Sequence, residues 1–380
     1  MSKQALVTGR FQKKVNMGKR DYDPFGADAK RAVESGMTAA EWYHTEVPRK
    51  VMKDLMARSD GPAIRDTVLL YGLMVVFAGL GIALWPTWWS APFWLAYGVL
   101  YGSASDSRWH ECGHGTAFRT PWINNAVYQI SSFMIMRNSA TWRWSHARHH
   151  SETYIVGRDP EIAIMRPTVF AKLILNFFGI IDVITFFPNL IRNAIAGPTL
   201  AEKTFVPSSE WAKIQRVAQI HLAIYAATLV LTVWSGSILP LMVVGLPRIY
   251  GAWHHVMTGL LQHGGLADNV IDHRLNSRTV LMNPVSRFIY WNMNYHVEHH
   301  MFPMVPYHAL PRLHDIVKAD LPAPSRSIAA GFAEMWPALK RQLSSEDYFI
   351  KRELPPTAKP YREDFHSYVP GMVPASSAAE

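Results

Sequence analysis

Two long stretches of this chain carry no charge, and they set the expected architecture. Thr67 to Ser105 contains no Asp, Glu, Lys or Arg, and WPTWWSAP (Trp85 to Pro92) interrupts it near the middle. A bilayer core takes about 20 apolar residues per helix, so the run predicts two transmembrane helices joined as a hairpin. Its tip, Trp85 to Trp94 with Pro86 and Pro92, has the aromatic belt and helix breakers of a membrane interface. The second uncharged run, Val217 to Pro247, is broken by WSGS at Trp234 to Ser237, and the apolar pattern resumes after Arg248 as far as Gln262. It predicts a second hairpin. Two shorter apolar stretches, Ala126 to Met136 and Val169 to Phe187, are interrupted by Gln129, Asn176 and Asp182 and read as interfacial or partly buried helices. The expected fold is an all-α integral membrane protein, with four transmembrane helices in two hairpins, interfacial helices and a cytosolic helical cap.

Charge orients this arrangement. Neither hairpin tip is charged, whereas the first 65 residues hold 13 Lys/Arg against 8 Asp/Glu, and the middle and C-terminal segments are charged too. The positive-inside rule then places both termini in the cytoplasm. Residues 1–65 are expected to be a cytosolic N-terminal segment, 66–314 the membrane domain and 315–380 a cytosolic C-terminal segment. The first 60 residues are polar and mixed in charge, so no secretory signal is expected there. Composition agrees: 49% of the 380 residues are apolar, only 18% are charged, and 14 Trp with 17 Met suits a membrane setting. The net charge of +9 is spread over segments interleaved with apolar stretches, which favours a membrane surface as partner and excludes nucleic acid. With Cys112 the single cysteine, the chain can build neither an internal disulfide nor a four-cysteine iron–sulfur site.

The chemistry lies in the histidines. HECGH holds His110 and His114, HARHH holds His146, His149 and His150, and HVEHH holds His296, His299 and His300. Spacings of i, i+3 and i+4 put imidazoles on neighbouring positions of one helix face. All three groups fall on the side assigned to the cytoplasm. Eight imidazoles exceed what one metal accepts, so two metals are expected, and imidazole suits Fe, Zn, Cu and Ni alike. Asp106, one turn before His110, and the box residues Glu111 and Glu298 are candidate carboxylates to orient the rings. Arg248 is out of place in an apolar span, where it would snorkel, pair with a carboxylate or meet a polar substrate head.

The order HxxxH, HxxHH, HxxHH, divided by a pair of transmembrane helices, resembles the membrane fatty acid desaturase and hydroxylase family. HVEHHMFPMVPYHALPRLH, through His314, and HHSETYIVGRDPE after the second box are similar to that family's segments, so the resemblance runs from about Asp66 to His314. It implies a non-haem di-iron pair, with dioxygen as co-substrate and no catalytic residue beyond the metal ligands. It also implies a further histidine ligand near the fourth span, for which GLLQHGG offers His263. His254 and His255 are read as a polar helix face, and His44, His221, His273 and His366 as structural.

The resemblance implies removal of hydrogen from an unactivated C–H bond of a lipid or acyl chain, ending in desaturation or hydroxylation. Two electrons would come from a ferredoxin or cytochrome b5-type donor with its NAD(P)H reductase. Neither a cytochrome b5 segment nor a dinucleotide fingerprint is visible in the chain, and basic surplus at the cytosolic face would attract an acidic donor. LMARSDGPAIRDT is more similar to a bacterial subgroup associated with small-molecule catabolism. That resemblance points to a bacterial inner membrane and makes hydroxylation or O/N-demethylation of a small substrate the alternative. Two other classes are weighed. A ferritin-like di-iron protein would use Glu111/His114 and Glu41/His44, and a b-type haem protein would ligate haem between membrane helices.

Overall fold

The computed structural model describes residues 20–363, whose regular secondary structure is helix, with two isolated β-bridges, Thr279 to Tyr295 and Val280 to Ser325, as its extended pairings. His366 and the outer parts of the two terminal segments lie outside the described residues. Among the described residues two helices are long and apolar enough to cross a membrane, Arg49–Ala83 and Ser208–Ser235, and a third span exists if the bent pair Phe170–Phe177 and Ile180–Ala196 counts as one. Their outward faces are greasy, as lipid contact requires. Val75 is 72% exposed, and Trp88 and Trp234 at the two tips are 93% and 82% exposed.

The returning limbs are less regular than the apolar pattern predicts. Ala91–Val99 runs through a π-helical turn, Leu100–Ala104, into Ser105–Gly113, which carries the first histidine box. The second hairpin returns in pieces, Leu239–Val243, Pro247–Gly251 and Trp253–His263. Pro240 and Pro247 each start a piece, and the chain between turns through Gly245 at φ +96°. A proline lacks the N–H that would continue the preceding helix, so an uncharged run is not here an unbroken one. The pieces pack where Gly98 and Gly102, one turn apart, meet Gly251. A Cβ on Gly102 would sit 2.8 Å from the Pro247 carbonyl, and a Cβ on Gly251 would overlap Gly98. Small residues at this spacing let two backbones touch, the usual basis of helix pairing in lipid.

The bent pair turns by 84° at Gly179, which has φ +61° and lies against the Arg248 carbonyl, so both conformation and space demand glycine. Here Val169 to Phe187, expected as one interfacial helix, divides into two. The bend brings Asp182 to Arg248. The guanidinium, 1% exposed, pairs with the Asp182 carboxylate and donates to the Gly102 carbonyl at 3.0 Å. Of the three fates open to Arg248, pairing is the one observed.

The cap rests on the inner ends of these helices. Pro121–Met134 packs along Ser105–Gly113, and its Tyr128 hydroxyl donates to the Ser139 carbonyl at 2.7 Å. Asp66, at the mouth of the first span, accepts from the Tyr307 hydroxyl at 2.8 Å and the Trp291 indole at 3.2 Å. A buried carboxylate with two neutral donors and Arg65 beside it ties cap to membrane domain.

Candidate metal centre

Four helices supply the imidazoles: Ser105–Gly113 with its C-cap His114, Ser139–Ser151, Trp253–His263 and His296–Met301. The second-box helix is started by Asn138, whose side chain accepts from the Ala140 and Thr141 amides while its own amide donates to the Ile214 carbonyl at 2.9 Å, fixing the helix to a span. The third-box helix follows Trp291 and Asn292, both at positive φ, a sharp reversal that aims its first turn inward.

The nine histidines collect into two groups. His110, His114, His146, His150 and His299 form one, and His149, His263, His296 and His300 the other, with the donor atoms of each group within 4.8 Å of one another. Facing Nε2 atoms are 3.0 Å apart for His146 and His114, 3.1 Å for His150 and His146, and 3.1 Å for His299 and His150. In the other group His296 lies 3.0 Å from both His263 and His300. With metal–nitrogen bonds of about 2.1 Å, ligands at right angles stand about 3.0 Å apart, and tetrahedral ones about 3.4 Å. The spacing fits neighbouring positions around a metal with more than four ligands.

Protons reinforce the point. His149 Nδ1 faces the Asp159 carboxylate at 2.8 Å, His146 Nδ1 faces Glu161 at 2.9 Å, and His263 Nδ1 faces the Asn276 carbonyl at 2.7 Å. His300 Nδ1 faces Thr153 Oγ1 at 3.2 Å, whose hydrogen is donated to the His149 carbonyl. Each of these rings must carry its hydrogen on Nδ1, leaving a bare lone pair on Nε2. His296 Nε2 thus meets two lone pairs and can satisfy at most one with a proton. His110 is buried with both nitrogens lacking a hydrogen-bond partner among the described residues. Bare nitrogens pointed at one another are costly, and a cation between them removes the cost. Burial pushes the rings toward neutrality, with His114 lowered to about 4. For His149 burial also opposes charge, but Asp159 outweighs it and the ring is raised. Mostly neutral imidazoles are ready donors that need release few protons.

The carboxylates that orient the rings are not those expected. Asp106 pairs with Arg137 at 3.0 Å, Glu111 accepts from Thr116 at 2.6 Å and the Tyr307 amide at 3.0 Å, and Glu298 accepts from Thr279 and His314. None reaches a ring of the two groups. Asp159 and Glu161 do so instead, from the loop after the second box. DPE in GRDPE was their visible signal, two acids one residue apart in a turn just beyond a histidine run. His254 bonds Ser286 at 3.2 Å, His255 lies against Arg248, His44 bonds the Trp42 carbonyl at 2.8 Å, His273 stacks on Trp42 and His221 packs on Phe133. All five stay outside both groups. Glu41 and His44 are exposed, so no ferritin-like ligand pair forms there. Nor can a porphyrin slide between Nε2 atoms 3.0 Å apart, so His263 and His296 do not face each other across a haem.

A cavity of about 420 Å³ lies beside the centre, with Ser145 and Asp159 in its wall. Trp142, Phe186, Leu190 and Phe205 give it an apolar side, and Arg137, Thr141, Asp182, Asn193 and Arg248 a polar one. Thr141 Oγ1, Asn193 Oδ1 and Arg248 Nε are buried without a hydrogen-bond partner among the described residues.

The sequence model of the fatty acid desaturase family matches residues 83–330, a range that contains all nine histidines. An omega-3 fatty acid desaturase of Glycine max chloroplasts is 26% identical over 278 residues, 67% of this chain and 58% of that one. The Synechocystis sn-1 acyl-lipid omega-3 desaturase (ferredoxin) is 24% identical over 297 residues, 72% of this chain and 79% of that one. The Arabidopsis thaliana acyl-lipid omega-3 desaturase (cytochrome b5) of the endoplasmic reticulum is 22% identical over 293 residues, 70% of this chain and 72% of that one. The alignment thus spans a little over half the length of the chloroplast relative, 58%.

Proposed function

Because the chain belongs to the fatty acid desaturase family, we propose that it is an O2-dependent di-iron oxidase of the membrane that attacks an unactivated C–H bond of a lipid or acyl chain. The observation that carries this reading is the pair of all-histidine groups, five and four, each with donor spacing suited to one metal. His110, His114, His146, His150 and His299 would hold one iron, and His149, His263, His296 and His300 the other. Bound there, the two irons would supply dioxygen activation and the one-electron steps that such a bond requires. The chain's own residues do the rest. Asp159, Glu161, Asn276 and Thr153 hold four ring hydrogens on Nδ1 and so aim four lone pairs inward. The buried cap excludes bulk water, which protects a strong oxidant from side reactions.

In desaturation the substrate loses two hydrogens and dioxygen takes them with two external electrons and two protons, giving two waters. In hydroxylation one oxygen atom enters the substrate and one leaves as water. The electrons would come from a ferredoxin, the donor that the Synechocystis relative is named for, reduced by an NAD(P)H reductase; the Arabidopsis relative's name points to cytochrome b5 as the other donor of this kind. We place the enzyme in a bacterial inner membrane with four spans, both termini and the metal centre cytoplasmic. Residues 66–314 would form the di-iron domain, between cytosolic segments 1–65 and 315–380. The polar wall of the cavity, with three buried orphan atoms, favours a second reading in which a small polar substrate is hydroxylated or demethylated.

Iron analysis of the purified protein, followed by turnover with a reducing system and isotope-labelled dioxygen, tests both. Label in the product means hydroxylation, and loss of two hydrogens without label means desaturation. His299→Ala should abolish turnover and lower bound iron. Full activity in that variant, or active protein without a transition metal, refutes the assignment.

A further inference from the structure

One face of the helix Arg49–Leu55 and the residue after it carries Arg49, Met52, Lys53 and Met56 at spacings i, i+3, i+4 and i+7. With Thr45, Val47 and Phe302 these four residues line a groove of about 600 Å³ open to solvent. We propose that this groove is the docking site of the electron donor, an acidic ferredoxin; the proposal rests on the reading that two external electrons reach a di-iron centre here.

Three observations select this surface. The first is its floor. Phe302 caps the third-box helix, and the Thr45 hydroxyl contacts the Met301 sulfur at 3.7 Å. His300 and His299 stand two and three positions before it in sequence and belong to different histidine groups. An electron delivered at Phe302 enters the segment that touches both groups. The second is charge. Arg49, Lys50, Lys53 and Arg58 are exposed along ten residues in which Asp54 is the one acid. A basic rim around an apolar floor of Met and Phe is the composition of a transient docking patch, and it complements an acidic carrier. The third is height. Lys53 lies fourteen positions before Thr67, where the uncharged run begins, on a separate short helix that ends at Leu55 before Asp60–Ala83 starts. Arg49 and Lys53 are therefore carried outside the apolar span, exposed on the side where Thr45 meets Met301 of the third-box helix, and they face a soluble partner. Each docked ferredoxin is oxidised by one electron, and two dockings complete one turnover.

The test uses the full chain in nanodiscs of phosphatidylcholine alone, with oxidised plant-type [2Fe–2S] ferredoxin as probe and binding measured against ionic strength. Arg49→Glu/Lys53→Glu should raise Kd by about tenfold and flatten its salt dependence, while Arg49→Lys/Lys53→Arg stays close to wild type. KM for reduced ferredoxin should rise in parallel, with dithionite-driven turnover unchanged, which separates a docking role from a folding one. An unchanged Kd in the charge-reversed variant overturns the proposal. So does an equal loss of turnover with dithionite, or binding that appears only when anionic lipid is added. Charge-dependent binding by an iron-loaded protein that consumes no dioxygen with any reductant would support the docking site and refute the oxidase reading instead.

Discussion

Replacing Asp159 by Asn should strip metal from one half of the centre, and the reason lies in three hydrogen bonds. Asp159 Oδ2 accepts from His149 Nδ1 at 2.8 Å and from the Tyr154 amide at 2.7 Å, while Oδ1 accepts from the Glu161 amide at 2.8 Å. Asparagine has the same shape but one oxygen. If its NH2 takes the Oδ2 place, His149 must move its hydrogen to Nε2 to accept at Nδ1, losing its ligating lone pair, and the Tyr154 amide faces a donor. If the NH2 takes the other place, it confronts the Glu161 amide and displaces the loop that orients His146. No rotamer is silent, and the anion that strengthens His149 as a donor is gone in both. Loss of such a partner costs about 10- to 100-fold in metal affinity, or about 1.4 to 2.7 kcal/mol. Glu161→Gln is the control. Glu161 accepts from His146 Nδ1 and from the Ser145 hydroxyl at 2.8 Å, and a hydroxyl can turn to accept from the new NH2. Only charge is lost, so its effect should fall at or below the lower limit. The assay is iron per chain after a graded chelator challenge. Asp159→Asn should release one iron at 10- to 100-fold lower chelator and keep the other, with Glu161→Gln near wild type. Release of both irons together at the wild-type concentration, or earlier release from Glu161→Gln, refutes the reasoning.

Three further outcomes are expected. Gly251→Ala drives a Cβ into Gly98 at the helix crossing, where neither backbone can yield, and should cost about 3 kcal/mol or more, read as a lowered thermal midpoint in detergent. Asp182→Asn leaves the Arg248 guanidinium buried and unpaired and should cost about 3 kcal/mol, the low end for a broken buried pair because Asp182 is partly exposed; Asp182→Leu/Arg248→Met should recover most of it. Burial alone would raise the Asp268 carboxyl, but Arg166 and Arg20 outweigh it and hold it below its usual range. The stability it contributes is therefore present above the unfolded value of about 3.9 and is lost as pH falls through the folded value. Asp268→Asn should lower the midpoint at pH 7 and remove this part of the acid sensitivity, and an unchanged acid profile would count against it.

What was legible in the sequence depended on periodicity. The boxes lie on helices as spaced, the first turn falls at 84–90, in the front part of the expected Trp85 to Trp94, with Trp94 already buried in the next helix, the second falls at Trp234 to Ser237, and the all-helical cap is present. Hydropathy failed where backbone chemistry intervenes. Pro240, Gly245 and Pro247 sit in plain view inside the second run, yet a count of charges ignores them, and the limb is broken there. Asp182 and Arg248 are each a lone charge in an apolar stretch, and two such charges of opposite sign are each other's natural partner across 66 residues. Helical spacing points to orienting carboxylates in or beside the boxes, whereas Asp159 and Glu161 arrive from a loop, where spacing says nothing about which way a side chain faces.

The division of the histidines follows from the difference between HxxxH and HxxHH. At 3.6 residues per turn each step turns by about 100°, so i+4 lies about 40° from i and i+3 about 60° on its other side. A box with i and i+4 alone addresses one group, as His110 and His114 do. A box with i+3 as well splays across about 100° and reaches two. In the second box His146 and His150 serve the first group and His149 the other, while in the third His296 and His300 serve the second group and His299 the first. The two HxxHH helices are thus used in opposite senses, each lending one ring to the other's group. The arrangement leaves the second group one ring short of four, and His263, from the broken limb of the second hairpin, fills it. That limb is broken just where it must leave the line of a span to bring His263 beneath the cap, so the irregularity that hydropathy overlooked is what completes the centre.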